Sequence, residues 1–333
     1  MEVILDCFFE TFAQLERNTL HARYKRRDLV EYFNTLIEGC CRGENSEPQN
    51  IVRLAIISIL RYHENSKKAN GSVCRMGNYH NILYVAVKLC YDWQLNDSPT
   101  VAALLEHIYS CEYTFERIWV GALFGTRAPY FIAGWKSDFD DQEENLRAVV
   151  YFLEHARNAN LEFVYESNEN KCRFVDIPIE SCGKATPLKI LVQLGVPDKL
   201  HILLRFGAKD DTHKSVLESL LNNLNSFKRK YPYNLVDCLQ FLMRALPGIY
   251  LDGNEYRDKD SNCQRDVIIE QFPYLLEDGI VPITRCGIQP PELKHLCRCC
   301  IRENLWKNYM LPNGIRMLPV PDFLHRYLDL LQD

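Results

Sequence analysis

The densest run of side chains able to hold a metal is His295-Leu296-Cys297-Arg298-Cys299-Cys300. Zinc takes four nitrogen or sulfur ligands in a tetrahedron. On a helix Cys297 and Cys299 point about 200° apart, and no second cysteine pair at two-to-four spacing follows to complete the set. Cys40-Cys41, in a helical apolar run after Leu36 and Ile37, suit small core positions. A nucleophilic thiol has one candidate, Cys182 in Ser181-Cys182-Gly183, and no histidine stands at a spacing that pairs with it. The carboxylates Asp138, Asp140, Asp141, Glu143 and Glu144 read as a solvated loop or helix start, and no glycine-rich phosphate loop follows a strand. The expectation is therefore no catalytic residue, no metal and no cofactor.

The elements around these residues are helical. Ile82, Leu83, Val85, Ala86, Leu89 and Cys90 recur at three-and-four spacing. Ser98-Pro99 announces a second helix, serine as cap and proline at the first helical position, with Val101, Leu104, Leu105 and Ile108 on its apolar face. Similar runs fall at Leu146 to Leu153, Leu200 to Leu204 and Leu235 to Met243. Polar segments at Gly43 to Gln49, His63 to Met76, Lys136 to Asn145 and Leu251 to Arg265 read as loops. Helix pairs in series that cannot hide their apolar faces alone suggest a degenerate solenoid. Trp119, Phe124, Tyr130, Phe131 and Trp135, with Arg127, suit a buried core or the anchors of an interface.

With 47% hydrophobic and 25% charged residues among 333, the chain can bury a sizeable core. Its 39 basic and 44 acidic residues give a net charge of -5, with no dense basic tract, so nucleic acid is not an expected partner. The start lacks the basic region of a secretion signal, and no apolar run reaches the roughly 18 residues of a membrane span. These features predict a soluble protein of the cytoplasm, with the nucleus also open to it, no membrane partner and cysteines that stay reduced.

One unit is clearer than the others: Ala185-Thr186-Pro187-Leu188-Lys189-Ile190-Leu191-Val192-Gln193-Leu194-Gly195, then Asp198 to Lys209. Thr186 can cap the first helix and Pro187 open it, Gly195 permits the turn, and Gly207 can end the second helix in the left-handed conformation. This unit resembles an ankyrin repeat, with Lys189 where the repeat usually has histidine and Leu191 in place of its small alanine.

From Pro290 the pattern changes. Two prolines precede a helix on which Leu293, Leu296, Cys297, Cys300, Ile301 and Leu305 make one apolar stripe, with Lys294, Arg298 and Arg302 as a basic line facing water. A turn is expected at Leu311-Pro312-Asn313-Gly314, with asparagine and glycine taking the positive torsion. Next comes Leu318-Pro319-Val320-Pro321, held extended by its prolines, and a short amphipathic helix carrying Phe323, Leu324, Tyr327, Leu328 and Leu331. These residues resemble a SOCS box, and its combination with the repeat resembles the ankyrin-repeat and SOCS-box adaptor family.

That resemblance implies an all-α fold: a degenerate ankyrin-like solenoid of helical hairpins followed by a small helical SOCS box. The divisions expected are an N-terminal helical region at 1–80, ankyrin-like repeats at 81–289 with the clearest at 185–209, and the box at 290–333. It also implies a non-catalytic substrate receptor of a cullin-5 ubiquitin ligase. Leu293, Leu296, Cys297 and Ile301 would bind elongin C, in its heterodimer with elongin B. Leu318, Pro319, Val320 and Pro321 would face cullin-5, which brings its RING subunit, and the helical body would hold an unknown protein substrate. One departure is Glu292 directly before Leu293, where the family usually has Ser, Thr or Pro, with Pro291 one step earlier. The alternative is an ankyrin-type scaffold whose C-terminal helices fold back as a cap.

Overall fold

The computed structural model describes residues 20–42, 47–74, 80–125, 139, 141–165, 171–209, 216–249 and 268–333. They are mostly helical, as the apolar periodicity predicts, and they fall into two compact units, 1–184 and 185–333. Among the described residues, no helix is long and apolar enough to cross a membrane.

The first unit contains helices α1 (Leu20–Cys41), α2 (Pro48–Ala69), α3 (Asn81–Asp92), α4 (Ser98–Glu112), α5 (Glu116–Phe124) and α6 (Gln142–Asn158). A short antiparallel ribbon follows, β1 (Glu162–Val164) against β2 (Lys171–Arg173), with Phe163 opposite Cys172. Helix α3 packs against α1 and α2, and α6 against α4 and α5. Helix α3 is apolar nearly all round because neighbours cover it, and Ile82, Leu83, Ala86, Leu89 and Cys90 are buried as their spacing predicts. Trp119 and Phe124 take the core reading; Phe115 meets Phe174 edge to face, 4.7 Å between centroids, and Trp119 stacks on the same ring. Tyr130, Phe131, Trp135 and Arg127 lie outside the described residues, as does the segment Leu251 to Arg265.

Two expectations change here. The segment from His63 is not a loop at its start, because α2 continues to Ala69; Ile56, Ile59, Leu60 and His63 extend one buried face while Glu64, Lys67 and Lys68 supply the outer one. The cap of α4 is Asp97, one residue earlier than expected. Its carboxylate accepts a hydrogen bond from the Thr100 hydroxyl and pairs with Arg53 at 3.1 Å, while Ser98 turns its hydroxyl to His155 Nδ1 at 2.9 Å. The carboxylate run does start a helix: Asp141 caps α6, accepting from the Glu144 amide at 2.7 Å. Asp138 and Asp140 lie outside the described residues.

The second unit opens with the ankyrin-like pair, α7 (Pro187–Leu194) and α8 (Pro197–Arg205). Thr186 caps α7 by accepting from the Lys189 amide, Pro187 opens it, and Gly195 closes it at φ 61°. Another hairpin, α9 (Val216–Ser226) and α10 (Tyr233–Ala245), packs on this one and buries Leu220, Leu221, Leu224, Leu235, Cys238, Leu239, Leu242 and Met243. The short helix α11 (Pro273–Glu277) contacts α9. Helix α12 (Leu293–Lys307), a tight helical turn at Asn313–Met317 and helix α13 (Asp322–Leu328) complete the unit.

Candidate functional site

Helix α12 begins after Pro290 and Pro291 with Glu292 at its cap position. The Glu292 side chain does not cap; it accepts from Arg285 at 2.5 Å and from Thr284 at 3.2 Å. The hydrogen bond from Arg285 holds the Glu292 carboxyl below its ordinary value. The unusual acid before Leu293 is thus tied to the preceding turn.

The helix turns its faces opposite to the simplest hydrophobic expectation. Leu293 is 76% exposed, Leu296 is 40% exposed, and Cys297 and Cys300 are exposed with them. At 100° per residue these four span about 100° of the helix. The buried face lies roughly opposite and consists of His295, Arg298, Arg302 and Leu305. The basic line expected to face water is therefore corrected: Arg298 and Arg302 point inward, and only Lys294 is exposed, with its ammonium 4.0 Å from the Tyr327 ring centroid.

Hydrogen bonding explains how two guanidinium groups can be buried. Arg302 donates to Leu328 O at 2.8 Å and to Leu204 O at 2.5 Å, carbonyls at the ends of α13 and α8, where the regular helical bonding stops; Leu204 O also accepts from the Gly207 amide at 3.0 Å. Arg298 donates to Gln332 O and to His295 Nδ1, both at 3.0 Å, and its guanidinium lies 4.2 Å from the Tyr327 ring. His295 passes the chain on, donating from Nε2 to Leu246 O at 3.0 Å. Burial holds His295 below its ordinary value, as it must to keep Nδ1 an acceptor. Arg205 adds an ion pair to Asp329 at 2.8 Å, and Arg244 pairs with Asp333 at 2.7 Å.

The apolar stripe divides along its length. Leu305 leaves it for the protein's own interior, forming a small core with Leu311, Ile315 and Leu328. Ile301 and Leu318 are half-buried against that core, so one end of the Leu293 set meets the start of Leu318-Pro319-Val320-Pro321. Pro319 and Pro321 are exposed and Val320 is half-buried. Leu318 (ψ 138°) and Pro321 (ψ 153°) are extended as expected, but the segment between them bends at Pro319, where the Val320 amide donates to Leu318 O at 2.8 Å, and His325 donates from Nε2 to the same carbonyl at 3.0 Å. In the following helix Tyr327 and Leu328 are buried and Phe323 is exposed; the helix ends at Leu328, so Leu331, also exposed, lies beyond it. A cavity of about 720 Å³ opens beside α12, lined by Leu296, Cys300 and Trp306 with Leu188, Leu204 and Leu242.

The Asn-Gly turn takes another form. Gly314 belongs to the helical turn and lacks a positive φ; glycine fits there because a Cβ would stand 2.7 Å from Met310 Cβ and 3.0 Å from Leu305 Cδ2. His295 to Cys300 do not gather a metal set, because His295 is committed to Leu246 and Arg298 while Cys297 and Cys300 face outward. Cys182 is half-buried, and burial pushes its thiol up, away from the nucleophilic thiolate. The sequence missed the inward arginines. Their signal was the spacing His295, Arg298, Arg302, which places all three on one face.

Residues 289–329 match the SOCS box family. Over 154 residues the chain is 32% identical to ankyrin repeat and SOCS box protein 17 of the dog, covering 44% of this chain and 49% of the relative. The mouse protein of that name is 30% identical over the same coverage, and the macaque protein 39% identical over 93 residues, 28% of each chain. The chain thus spans about half the length of the relatives it matches most extensively. No solved structure matches. With a match to the SOCS box at 289–329, an ankyrin-like hairpin ahead of it and these relatives, the chain is similar to the ankyrin-repeat and SOCS-box proteins.

Proposed function

We propose that this chain is a non-catalytic substrate receptor of a cullin-RING ubiquitin ligase, built on elongins B and C and cullin-5. Leu293, Leu296, Cys297 and Ile301 bind elongin C, and Leu318, Pro319, Val320 and Pro321 contact the cullin. The helical body presents a protein substrate. The observation that carries this reading is the outward stripe: Leu293 is 76% exposed on a helix that buries two arginines in its place. Apolar anchors at helical spacing, open to solvent, suit a helix docking in a groove. Small Cys297 between Leu293 and Ile301 permits close approach to the groove wall. The cap alternative needs Leu293 covered by the chain's own residues, and its exposure argues against that.

Co-expression with elongins B and C should yield a ternary complex. Leu293→Asp should weaken it by at least about 2 kcal/mol, a factor near 30 in affinity. Because Leu293 lies on the open face, the variant should keep the melting temperature of the wild-type chain. Unchanged elongin capture by the variant overturns the assignment. Val320→Asp should retain the elongins and lose cullin-5, which separates the two contact sets.

A further inference from the structure

Away from the SOCS box, in the first unit, four soft ligand groups converge: His63, Cys74, His80 and Cys111. Their donor atoms all lie within 4.8 Å of one another. His63 comes from α2, Cys74 from the segment after it, His80 from the residue preceding α3, and Cys111 from the last turn of α4. Both imidazoles are fully buried and both thiols half-buried.

The distances fit a common centre. Tetrahedral zinc, with bonds of about 2.3 Å to sulfur and 2.0–2.1 Å to nitrogen, sets its nitrogen and sulfur ligands about 3.5 Å apart. His63 Nε2 stands 3.4 Å from Cys74 Sγ and 3.7 Å from Cys111 Sγ, and His80 Nδ1 stands 3.7 Å from Cys74 Sγ. Thiols are weak hydrogen-bond partners, so contacts among these four groups alone compensate poorly for burying two imidazoles.

The surroundings orient the rings as ligands. A metal-bound histidine normally donates its other N–H to a carboxylate or another acceptor, which fixes the tautomer. His80 Nε2 donates to Glu112 Oε1 at 2.6 Å, and Glu112 Oε2 accepts from the Tyr84 hydroxyl at 2.7 Å. His80 thus turns Nδ1 toward the sulfurs. His63 Nδ1 lies 3.3 Å from His107 Nδ1, which leaves His63 Nε2 for the cluster. Two thiolates would neutralise a divalent cation, and Glu112 is already partnered outside the ligand set.

We propose that His63 Nε2, Cys74 Sγ, His80 Nδ1 and Cys111 Sγ form a structural zinc site that ties α2, α3 and α4 together. All four positions are filled by protein, so the site is closed and holds the fold rather than performing hydrolysis. It reverses the expectation of a metal-free chain. The ligands are separated by 10, 5 and 30 residues along the sequence, so no paired-cysteine motif marks them.

The test is the metal content of the tag-free full chain, purified under reducing conditions without added metal. About one zinc per chain is expected, with Cys74→Ser and Cys111→Ser each falling below about a tenth of that. Cys182→Ser should keep the full complement. Should the ligand variants fail to fold, cobalt substitution of the wild-type chain decides: a tetrahedral visible spectrum with thiolate-to-cobalt charge transfer supports the site, and an octahedral one overturns it. Alkylation adds a second reading on the unaltered protein. Cys74 and Cys111 should resist the reagent until a chelator is added, while Cys297 and Cys300 react at once. A wild-type chain without zinc, a Cys74–Cys111 disulfide in the peptide map, or full zinc in both ligand variants overturns the proposal.

Discussion

Arg302 stands at 5% exposure in the second unit, and burial draws its guanidinium down to about 10, still well above neutrality. Its charge is retained because two backbone carbonyls, of Leu204 and Leu328, accept from it. Arg302→Met keeps much of the stem's volume and removes the donors, which takes from Leu328 O its side-chain partner in a dry interior and leaves Leu204 O with only the Gly207 amide. The expected loss is about 3 kcal/mol, read as a lower denaturant midpoint. Lys307→Ala, an exposed partner of Glu303, should stay within about 0.5 kcal/mol of wild type. This pair of residues also shows where residue-scale reading stops. Leucine spacing reveals the stripe on α12, but a stripe does not say which body covers it. Arginine is ordinarily a surface residue, so the inward line at Arg298 and Arg302 follows only once the backbone carbonyls that receive them, of Gln332, Leu328 and Leu204, are known.

The ankyrin-like pair was legible at the scale of the element because its signals are local. Thr186, Pro187 and Gly195 each act on the backbone within one turn, and the structure places cap, first residue and terminator as expected. Gly195 is also fixed by packing. At φ 61°, an added Cβ would stand 2.2 Å from Asn234 Nδ2 and 3.1 Å from Leu235 Cδ2, while Asn234 Nδ2 donates to Gly195 O at 3.0 Å. Gly195→Ala should therefore cost more than the left-handed conformation alone, about 2–3 kcal/mol against about 1–2 for Gly183→Ala, where φ is 68° and the space is open. Equal losses in the two variants, measured by chemical denaturation, would show that Asn234 yields freely. Features set by distant contacts were not legible in the same way. The end of α2 runs about one and a half turns past His63, its last buried residue, with Glu64 paired to Lys67 and Lys68 on the outer face, and the cap of α4 moves to Asp97 because Arg53 and Thr100 engage its carboxylate. The zinc ligands are the extreme case, since only the packing of α2, α3 and α4 unites them.

At the scale of the whole molecule, three histidines held neutral by burial make folding sensitive to acid. Burial holds His155 in the first unit and His201 and His295 in the second below their ordinary value near 6.5. His201 donates to Asp329 O at 2.9 Å and stacks on Phe241, and His295 accepts from Arg298, so a second proton on His295 would set two cations side by side. The sign follows from proton counting. Below 6.5 the unfolded chain takes up protons that the folded chain still refuses, so stability rises with pH in that window and falls as acid is added. Their contribution is complete above the unfolded value and declines toward the lower folded values. The melting temperature should drop as the buffer moves from about pH 7 to about pH 5.5, a range in which ordinary carboxylates stay ionised. Replacing His201 and His295 together with glutamine keeps a donor at each place without the titration, and should flatten that dependence even if the variant is less stable at pH 7. A slope unchanged by the double substitution would place the acid response outside these two residues, in the remaining buried histidines or in loss of the metal, since protons compete with zinc for thiolate and imidazole. Chelation separates the last two sources, because a metal-free chain retains His155 and loses only the competition.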